Sequence, residues 1–133
     1  PAGKGAHLPA LSPDDRYGYV ANFASDDLIV WDCRTHRVVA AIPVGIYPHF
    51  FAPSPDGKWL VVSNTGESSV SIIDAHEHKN RACLKVGGAP AHLAFSPDNE
   101  LAFVACERTD EIAVIELGRQ SLLQTIQAGG QAN

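Results

Sequence analysis

Short runs in which apolar residues stand two positions apart recur at matching places along the chain. Alternate residues of a β-strand share one face, so such runs have the periodicity of half-buried strands. The clearest cases are the apolar pairs Leu28 and Val30, Val70 and Ile72, and Ile112 and Val114. No stretch shows the 3.6-residue apolar period of an amphipathic helix. The pattern predicts an all-β fold.

The turn between the first two predicted strands occurs three times with the same chemistry. Ser-Pro-Asp stands at residues 12–14, 54–56 and 96–98, always 42 residues apart. Proline presets φ for a type I turn, and the Ser and Asp side chains can bond the local backbone. The residue that follows is Asp15, Gly57 or Asn99. Each of these types tolerates a left-handed backbone, so we expect the same tight turn in all three copies.

The repeat divides the chain into segments of equal length. They are residues 3–44, 45–86 and 87–128, and residues 129–133 begin a further repeat or form a tail. Each segment contains four short strand patterns separated by turn-type residues. Repeats of about 40 to 50 residues built on short strands are typical of β-propellers, with one blade per repeat. The sequence therefore predicts a β-propeller sector of three four-stranded antiparallel blades with a repeat period of 42.

The repeats also carry a family resemblance. The motifs are Val20-Ala21-Asn22, Val62-Ser63-Asn64, Val70-Ser71-Ile72-Ile73-Asp74 and Val86-Gly87-Gly88-Ala89-Pro90. They resemble the YVTN-type propeller repeat of archaeal surface-layer proteins and many exported bacterial proteins. Cys106 and Glu116 depart from the motif, which expects Asn and Asp there. Val30-Trp31-Asp32 resembles the end of a WD40 blade, but the other two repeats lack the Trp, so this resemblance ranks second.

The resemblance implies a periplasmic or extracellular location. The first five residues lack the apolar region of a signal peptide, so we expect any export signal to be removed or to lie outside this sequence. A net charge of −5 argues against a nucleic-acid partner. No apolar run approaches the roughly 20 residues of a membrane span. Cys33, Cys83 and Cys106 are widely spaced, and we expect three buried thiols.

Three blades are fewer than a closed propeller needs, because propellers use roughly four to eight. A bare blade face of about 500 Å² of apolar surface lies near the upper limit for monomers. At ~25 cal/mol per Å², covering it is worth about 12 kcal/mol. We therefore expect the partner to be the remaining blades of a longer chain, or else a second copy of this chain, which would make a six-bladed ring.

Histidines mark the start of the first strand of two blades. His7 and His49 occupy the same repeat position, and the first strand of a propeller blade is the innermost one. We predict that both face the channel mouth, where imidazoles can bind ligands or transfer protons. His92 lies one place off this register, so we expect its side chain on the other face. Tyr47, together with nearby phenylalanines, predicts an aromatic patch for a protein or a small-molecule ligand such as a sugar.

A more distant resemblance concerns the haem d1 domain of cytochrome cd1 nitrite reductase, which is also a propeller. In that family two histidines from adjacent blades sit over the haem, and His7 and His49 match them by repeat position. The resemblance implies haem d1 as an alternative cofactor. No C-x-x-C-H motif for a c-type haem is present. The two histidines of His76-Glu77-His78 are a possible metal-binding pair, but we interpret the segment as a solvated turn because a third ligand is missing.

Two functions remain open at this level. The first is a binding or scaffold module, exported, whose loops contact a protein or the cell surface, with no catalytic residue, no metal and no cofactor. The second is a periplasmic redox domain that uses His7 and His49 over a cofactor. The fold cannot decide between them, because propellers carry unrelated functions.

Overall fold

The protein folds, in a computed structural model, into twelve β-strands that form three four-stranded antiparallel sheets. The structure describes the backbone of residues 6–128 and the side chains of residues 9–128. The strands are β1 (Ala6–Leu11), β2 (Tyr17–Asn22), β3 (Asp27–Asp32), β4 (Arg37–Pro43), β5 (Pro48–Pro53), β6 (Trp59–Asn64), β7 (Ser69–Asp74), β8 (Lys79–Lys85), β9 (Pro90–Phe95), β10 (Leu101–Cys106), β11 (Glu111–Glu116) and β12 (Ser121–Gln127). The predicted all-β architecture is confirmed.

Each sheet is a simple meander in which strands that follow one another in sequence are paired. The sheets occupy residues 6–43, 48–85 and 90–127, so each predicted repeat contains one sheet. The repeat boundaries within the connecting loops stay a prediction. The predicted tail at 129–133 lies outside the described residues.

The sheets lie side by side like neighbouring blades. Strand β5 packs against β1 and β2 of the first sheet, and β9 packs against β5 and β6 of the second. The last strands of the first two sheets, β4 and β8, also contact each other. The first strand of each sheet is therefore the inner one and the fourth the outer one, as in a propeller sector. No helix in the described part of the chain is long and apolar enough to cross a membrane.

Two apolar cores fill the spaces between the sheets. The core between the first and second sheets contains Tyr19, Ala21, Leu28, Val30, Ile42, Leu60, Val62, Ile73 and Ala75. The core between the second and third sheets contains Val61, Val70, Ile72, Ala102, Val104, Cys106, Ala113, Ile115 and Leu117. Neighbours on β6 alternate between them, since Leu60 and Val62 face the first core and Val61 the second. The middle sheet is thus covered on both faces.

The Ser-Pro-Asp turns have the predicted conformation. In the second sheet the Ser54 hydroxyl donates to Asp56 Oδ1 at 2.7 Å and accepts from the Trp59 N–H at 3.0 Å. The corresponding bonds recur in the other two turns. The left-handed residues are Asp15 (φ 61°), Gly57 (φ 76°) and Asn99 (φ 64°). The turns also link sheets, because the Asp56 N–H donates to Asn99 Oδ1 at 2.9 Å.

Two acids at the ends of third strands, Asp32 and Asp74, cap the next turn. Asp32 Oδ1 accepts from the Arg34 and Thr35 N–H groups at 2.7 and 3.2 Å. The bond from Arg34 holds the pKa of Asp32 below its usual value. Asp74 Oδ1 accepts from the N–H groups of the two residues at the equivalent positions of its own turn. These two acids therefore have a structural role.

The expectation of three buried thiols is wrong for two of the cysteines. Cys106 is buried in the second core, where desolvation raises the pKa of its thiol. Cys33 is half-buried and Cys83 is exposed. Cys83 lies on β8, an outer strand, and its thiol is 3.8 Å from Glu67 Oε2. An outer strand has one face toward solvent, which explains the exposure of Cys83.

Candidate functional site

The candidate site lies at the end of the sheets where the inner strands β5 and β9 begin. We call this the upper end; its loops are residues 23–26, 44–47, 65–68, 86–89 and 107–110. The Ser-Pro-Asp turns lie at the opposite, lower end. Three of the four predicted site residues, Tyr47, His49 and His92, are brought together at the upper end.

Five aromatic rings follow one another in contact across this end. Phe23 and Tyr47 are stacked, with ring centroids 5.0 Å apart, and Tyr47 meets His49 edge to face at 5.6 Å. Phe50 then lies 4.4 Å from His49 and 4.3 Å from His92. We call these five residues the aromatic row. It extends over all three sheets, because Phe23 follows β2, Tyr47 directly precedes β5, His49 and Phe50 lie on β5, and His92 lies on β9.

Bulges on the inner strands bring the two histidines into this row. The register of β5 against β6 shifts between Pro48 and Phe50, so His49 is the extra residue. On β9 the shift falls between Pro90 and Leu93, around His92. A bulge interrupts strict alternation and re-aims side chains. Both rings contact Phe50, and the expectation that His92 faces away from the surface of His49 stays a prediction.

The Tyr47 loop is fixed by acids from two sheets. The Tyr47 N–H donates to Asp26 Oδ1 and the Ile46 N–H to Glu67 Oε1, both at 2.9 Å. The Tyr47 carbonyl accepts from the Thr65 N–H at 3.0 Å. Tyr47 has a left-handed backbone with φ 57°, which is unusual for a bulky residue. The loop holds a ring that is 42% exposed above the junction of the first two sheets.

The carboxylate of Glu67 stays ionised in this position. Hydrogen bonds from the Ser69 hydroxyl, at 2.6 Å, and from the Ile46 N–H lower the pKa of Glu67.

Beside the row, a cavity of about 240 Å³ is lined by Pro9, Ala10, His49, Phe50 and Phe51. The surface thus combines aromatic faces, imidazole nitrogens and negative charge.

The fourth predicted site residue, His7, lies on β1, where the register shifts between Ala6 and Pro9 as it does around His49. Its side chain lies outside the described residues, so its pairing with His49 stays a prediction. Phe23 was missed by sequence reasoning, because no local pattern shows which loop residue reaches the ring of the next sheet. Phe51, the neighbour of Phe50, packs against the first core instead of joining the aromatic row.

His76, Glu77 and His78 form the turn after β7. His76 and Glu77 are exposed, and Glu77 pairs with Arg81 at 2.6 Å. His78 is half-buried, and its ring meets Tyr17 of the first sheet at 5.1 Å. The solvated-turn interpretation is therefore wrong for His78, which helps to join two sheets. Within the described residues, no group of three or more His, Cys, Asp or Glu side chains could hold a metal ion.

Three solved structures illustrate what the chain is similar to. Hydrazine synthase from Kuenenia stuttgartiensis is 31% identical, with a TM-score of 0.85 over 91% of this chain and 35% of its own. A Bacteroides fragilis protein that carries the name 6-phosphogluconolactonase is 20% identical (TM-score 0.79, 95% and 40% covered). U3-55K is 19% identical (TM-score 0.83, 96% and 40% covered). The last two likenesses concern the fold alone.

The chain spans 35% to 40% of the length of these three structures. No curated protein sequence matches it. Residues 45–131 match the family described as lactonase, 7-bladed beta-propeller, which is more than half of the 133 residues. Together with the three meandering sheets and their radial order, this match shows that the chain belongs to the seven-bladed β-propeller lactonase family.

Proposed function

We propose that this chain is the part of a propeller that binds a partner at the upper end of its inner strands, with the aromatic row as the contact surface. The observation that carries the proposal is the unbroken contact of five rings across three sheets. The rings of Tyr47 and His92 are exposed at this surface. Such a row offers a partner a continuous line of aromatic side chains.

The energetics of the row favour binding. Aromatic side chains give a large contact area at a small cost in conformational entropy, which is why they dominate binding hot spots. The hydrogen bond from the Tyr47 N–H to Asp26 fixes the loop before a partner arrives. A surface organised in advance loses less entropy on binding.

A test uses the complete protein that contains these three sheets. We expect saturation-transfer NMR to detect binding of the tripeptide Gly-Tyr-Gly or of methyl glucoside, which represent an aromatic and a sugar partner. Tyr47→Ala and His92→Ala should each weaken the signal several-fold. The control is Leu123→Ala, because Leu123 is 56% exposed on the outer strand β12, away from the row.

Two results would count against a binding module at this surface. One is probe binding that the Tyr47 and His92 variants leave unchanged. The other is turnover of δ-gluconolactone, followed by proton release, that His49→Ala abolishes. The second result would place the protein among enzymes that act on lactones, as the name of the family describes.

The finer assignment to YVTN-type repeats is also a proposal. It is supported by Asn64, whose carboxamide donates to the Ser69 and Ser71 hydroxyls at 3.1 and 2.9 Å and so joins the end of β6 to β7. Asn is a motif residue of the YVTN-type repeat, and the hydrogen bonds of Asn64 between two strands of the blade give that residue a structural role. Export to the periplasm or cell surface follows as an expectation, and fractionation of the source cells with an antibody to this chain tests it.

A redox domain is the second candidate, favoured by the 31% identity to hydrazine synthase. It would use His7 and His49. The described residues do not by themselves fit haem d1: the cavity beside His49 holds about 240 Å³ and is lined by Pro9, Ala10, Phe50 and Phe51, without a cation to pair with haem carboxylates. A visible absorption band in the purified complete protein, altered by His49→Ala, would favour this candidate.

A further inference from the structure

Negative charge is concentrated at the upper end, the end of the sheets where the aromatic row lies. The acids in the upper loops or at the strand residues next to them are Asp26, Asp27, Glu67, Glu107, Asp110 and Glu111. Among the described residues only two cations lie at this end, Arg108 in a loop and Lys85 at the end of the outer strand β8. The other described Arg and Lys residues lie toward the lower end, where they offset most of the acids.

Two of these acids are held directly beside the rings. Asp26 accepts the Tyr47 N–H at 2.9 Å, so its charge lies next to the exposed tyrosine. Glu67 accepts the N–H of the preceding residue, Ile46, and the same surroundings keep it ionised. The position of both charges is therefore set by the backbone of the loop that carries Tyr47.

We propose that the partner of the aromatic row is a basic polypeptide segment, one that presents Arg or Lys side chains. This inference rests on the proposed function. A cation over an aromatic face is attracted by the ring quadrupole, and Arg in particular stacks on Tyr and Phe. Carboxylates around the rings add Coulomb attraction and speed the encounter. An acidic or phosphorylated partner would be repelled.

The shape of the surface favours a polypeptide over a small cation. Small ligands bind in concave sites that bury most of their surface. The aromatic row instead runs across three sheets, from Phe23 to His92, and the acids are distributed over three loops. An extended segment can place successive side chains on successive rings and acids, whereas a single small cation would use one of them.

The experiment measures binding of a fluorescent (Arg-Gly-Gly)₃ peptide to the complete protein by anisotropy. Tyr47→Ala should weaken binding about three-fold, the size of an exposed cation–π contact. Alanine suits this backbone, because Ala89 holds the equivalent position with φ 55°. Asp26→Asn with Glu107→Gln should also weaken binding several-fold, because the pair of substitutions removes two negative charges from the upper end. The loop should keep its conformation, because the Asn oxygen can still accept the Tyr47 N–H. Binding should fall as the salt concentration rises.

The matched control removes two charges at the lower end, by Asp15→Asn with Glu100→Gln. Asn stands at the equivalent of Asp15 in the third repeat, at residue 99, with a similar φ. If this control weakens binding as much as the upper pair of substitutions, or if Tyr47→Ala has no effect, attraction is unspecific and the inference is overturned. Binding of Gly-Tyr-Gly without binding of the basic peptide would overturn this inference alone. If the complete protein bound neither Gly-Tyr-Gly nor the basic peptide, the proposed function would be overturned as well.

Discussion

At the scale of single residues, His78 couples a sheet junction to pH. Its ring packs edge-on against Tyr17, and its Nδ1 atom is buried without a hydrogen-bond partner. Burial lowers the pKa of His78 below its usual 6.5. The nearby charge of Asp74 acts against this lowering of the pKa, and that of His76 adds to it. The unfolded chain then binds a proton more readily than the folded one. The neutral ring therefore makes its full contribution to the free energy of unfolding above pH 6.5. This contribution is lost as the pH falls through the lowered pKa.

We therefore expect the free energy of unfolding to fall between pH 7.5 and 5.5, and to fall less in His78→Gln. Gln stands at the equivalent position of the third repeat, Gln120, with a similar φ of 51°. Urea denaturation at the two pH values measures the difference. The control is His36→Gln, because His36 holds the same position in the first repeat but is exposed. Equal pH dependence in all three proteins would contradict the role of His78.

Gly45 stands at the start of the second repeat because a side chain has no room there. A Cβ on Gly45 would lie 2.5 Å from Glu67 Oε2 and 2.7 Å from Asn64 Cγ. Asn64 is fully buried and bonded to two hydroxyls, so it cannot move away. We expect Gly45→Ala to cost about 1–3 kcal/mol of stability. A Cβ on Gly118 would have no neighbouring atom within 4 Å, so Gly118→Ala should change stability by less than about 0.5 kcal/mol. Thermal denaturation of the two variants measures the difference.

At the scale of elements, the Ser-Pro-Asp turn depends on a hydroxyl that is fully buried. Ser54→Ala would leave the Trp59 N–H without its acceptor and would remove the hydroxyl that donates to Asp56, which still accepts from the Lys58 N–H at 3.1 Å. An unsatisfied buried donor costs about 1–3 kcal/mol, so we expect a loss of that size in chemical denaturation. Ser25→Ala removes the bond to Asp27 at an exposed site and should have little effect. A similar small effect at Ser54 would show that water replaces the bonds.

Strands and turns could be predicted because their signals are local. The apolar alternation of Val70 and Ile72 and the left-handed preference of Gly57 act within a few residues of the chain. The aromatic row could be predicted only in part, since it depends on contacts between sheets. The bulge at His92 cancels the simple alternation on which its predicted direction rested. Phe23 joins the row by stacking on Tyr47, whose N–H is bound by Asp26 of the neighbouring loop.

At the scale of the whole molecule, the repeat applies to the interfaces between sheets as well as to the strands. The first sheet contributes Tyr19, Ala21, Leu28, Val30 and Ile42 to the first core. The equivalent residues of the third sheet, 84 positions later, are Phe103, Ala105, Ile112, Val114 and Ile126. Of these, Ile126 is 41% exposed, and Phe103, Ala105 and Ile112 line an open apolar cavity of about 230 Å³. The third sheet therefore presents the same kind of face that the first two use to bind a neighbour.

This comparison predicts that, in the complete protein, a further blade covers the free face of the third sheet. Leu28, the counterpart of Ile112, is fully buried. A lysine at such a position places a charge in an apolar interface, so we expect Ile112→Lys to lower the stability of the complete protein by about 3 kcal/mol or more. Leu123→Lys, at a site 56% exposed on β12, should change it by less than about 0.5 kcal/mol.

The same substitution separates a further blade from a second copy of the chain. Suppose that copies associate through the free face of the third sheet. Ile112→Lys would then lower the mass of the complete protein in analytical ultracentrifugation, because a charged face cannot pair with an apolar one. If the next blade covers the face within one chain, the mass stays constant and only the unfolding midpoint falls. An Ile112→Lys variant as stable as Leu123→Lys, with unchanged mass, would show that the face meets solvent and that the repeat of the interface ends at the third sheet.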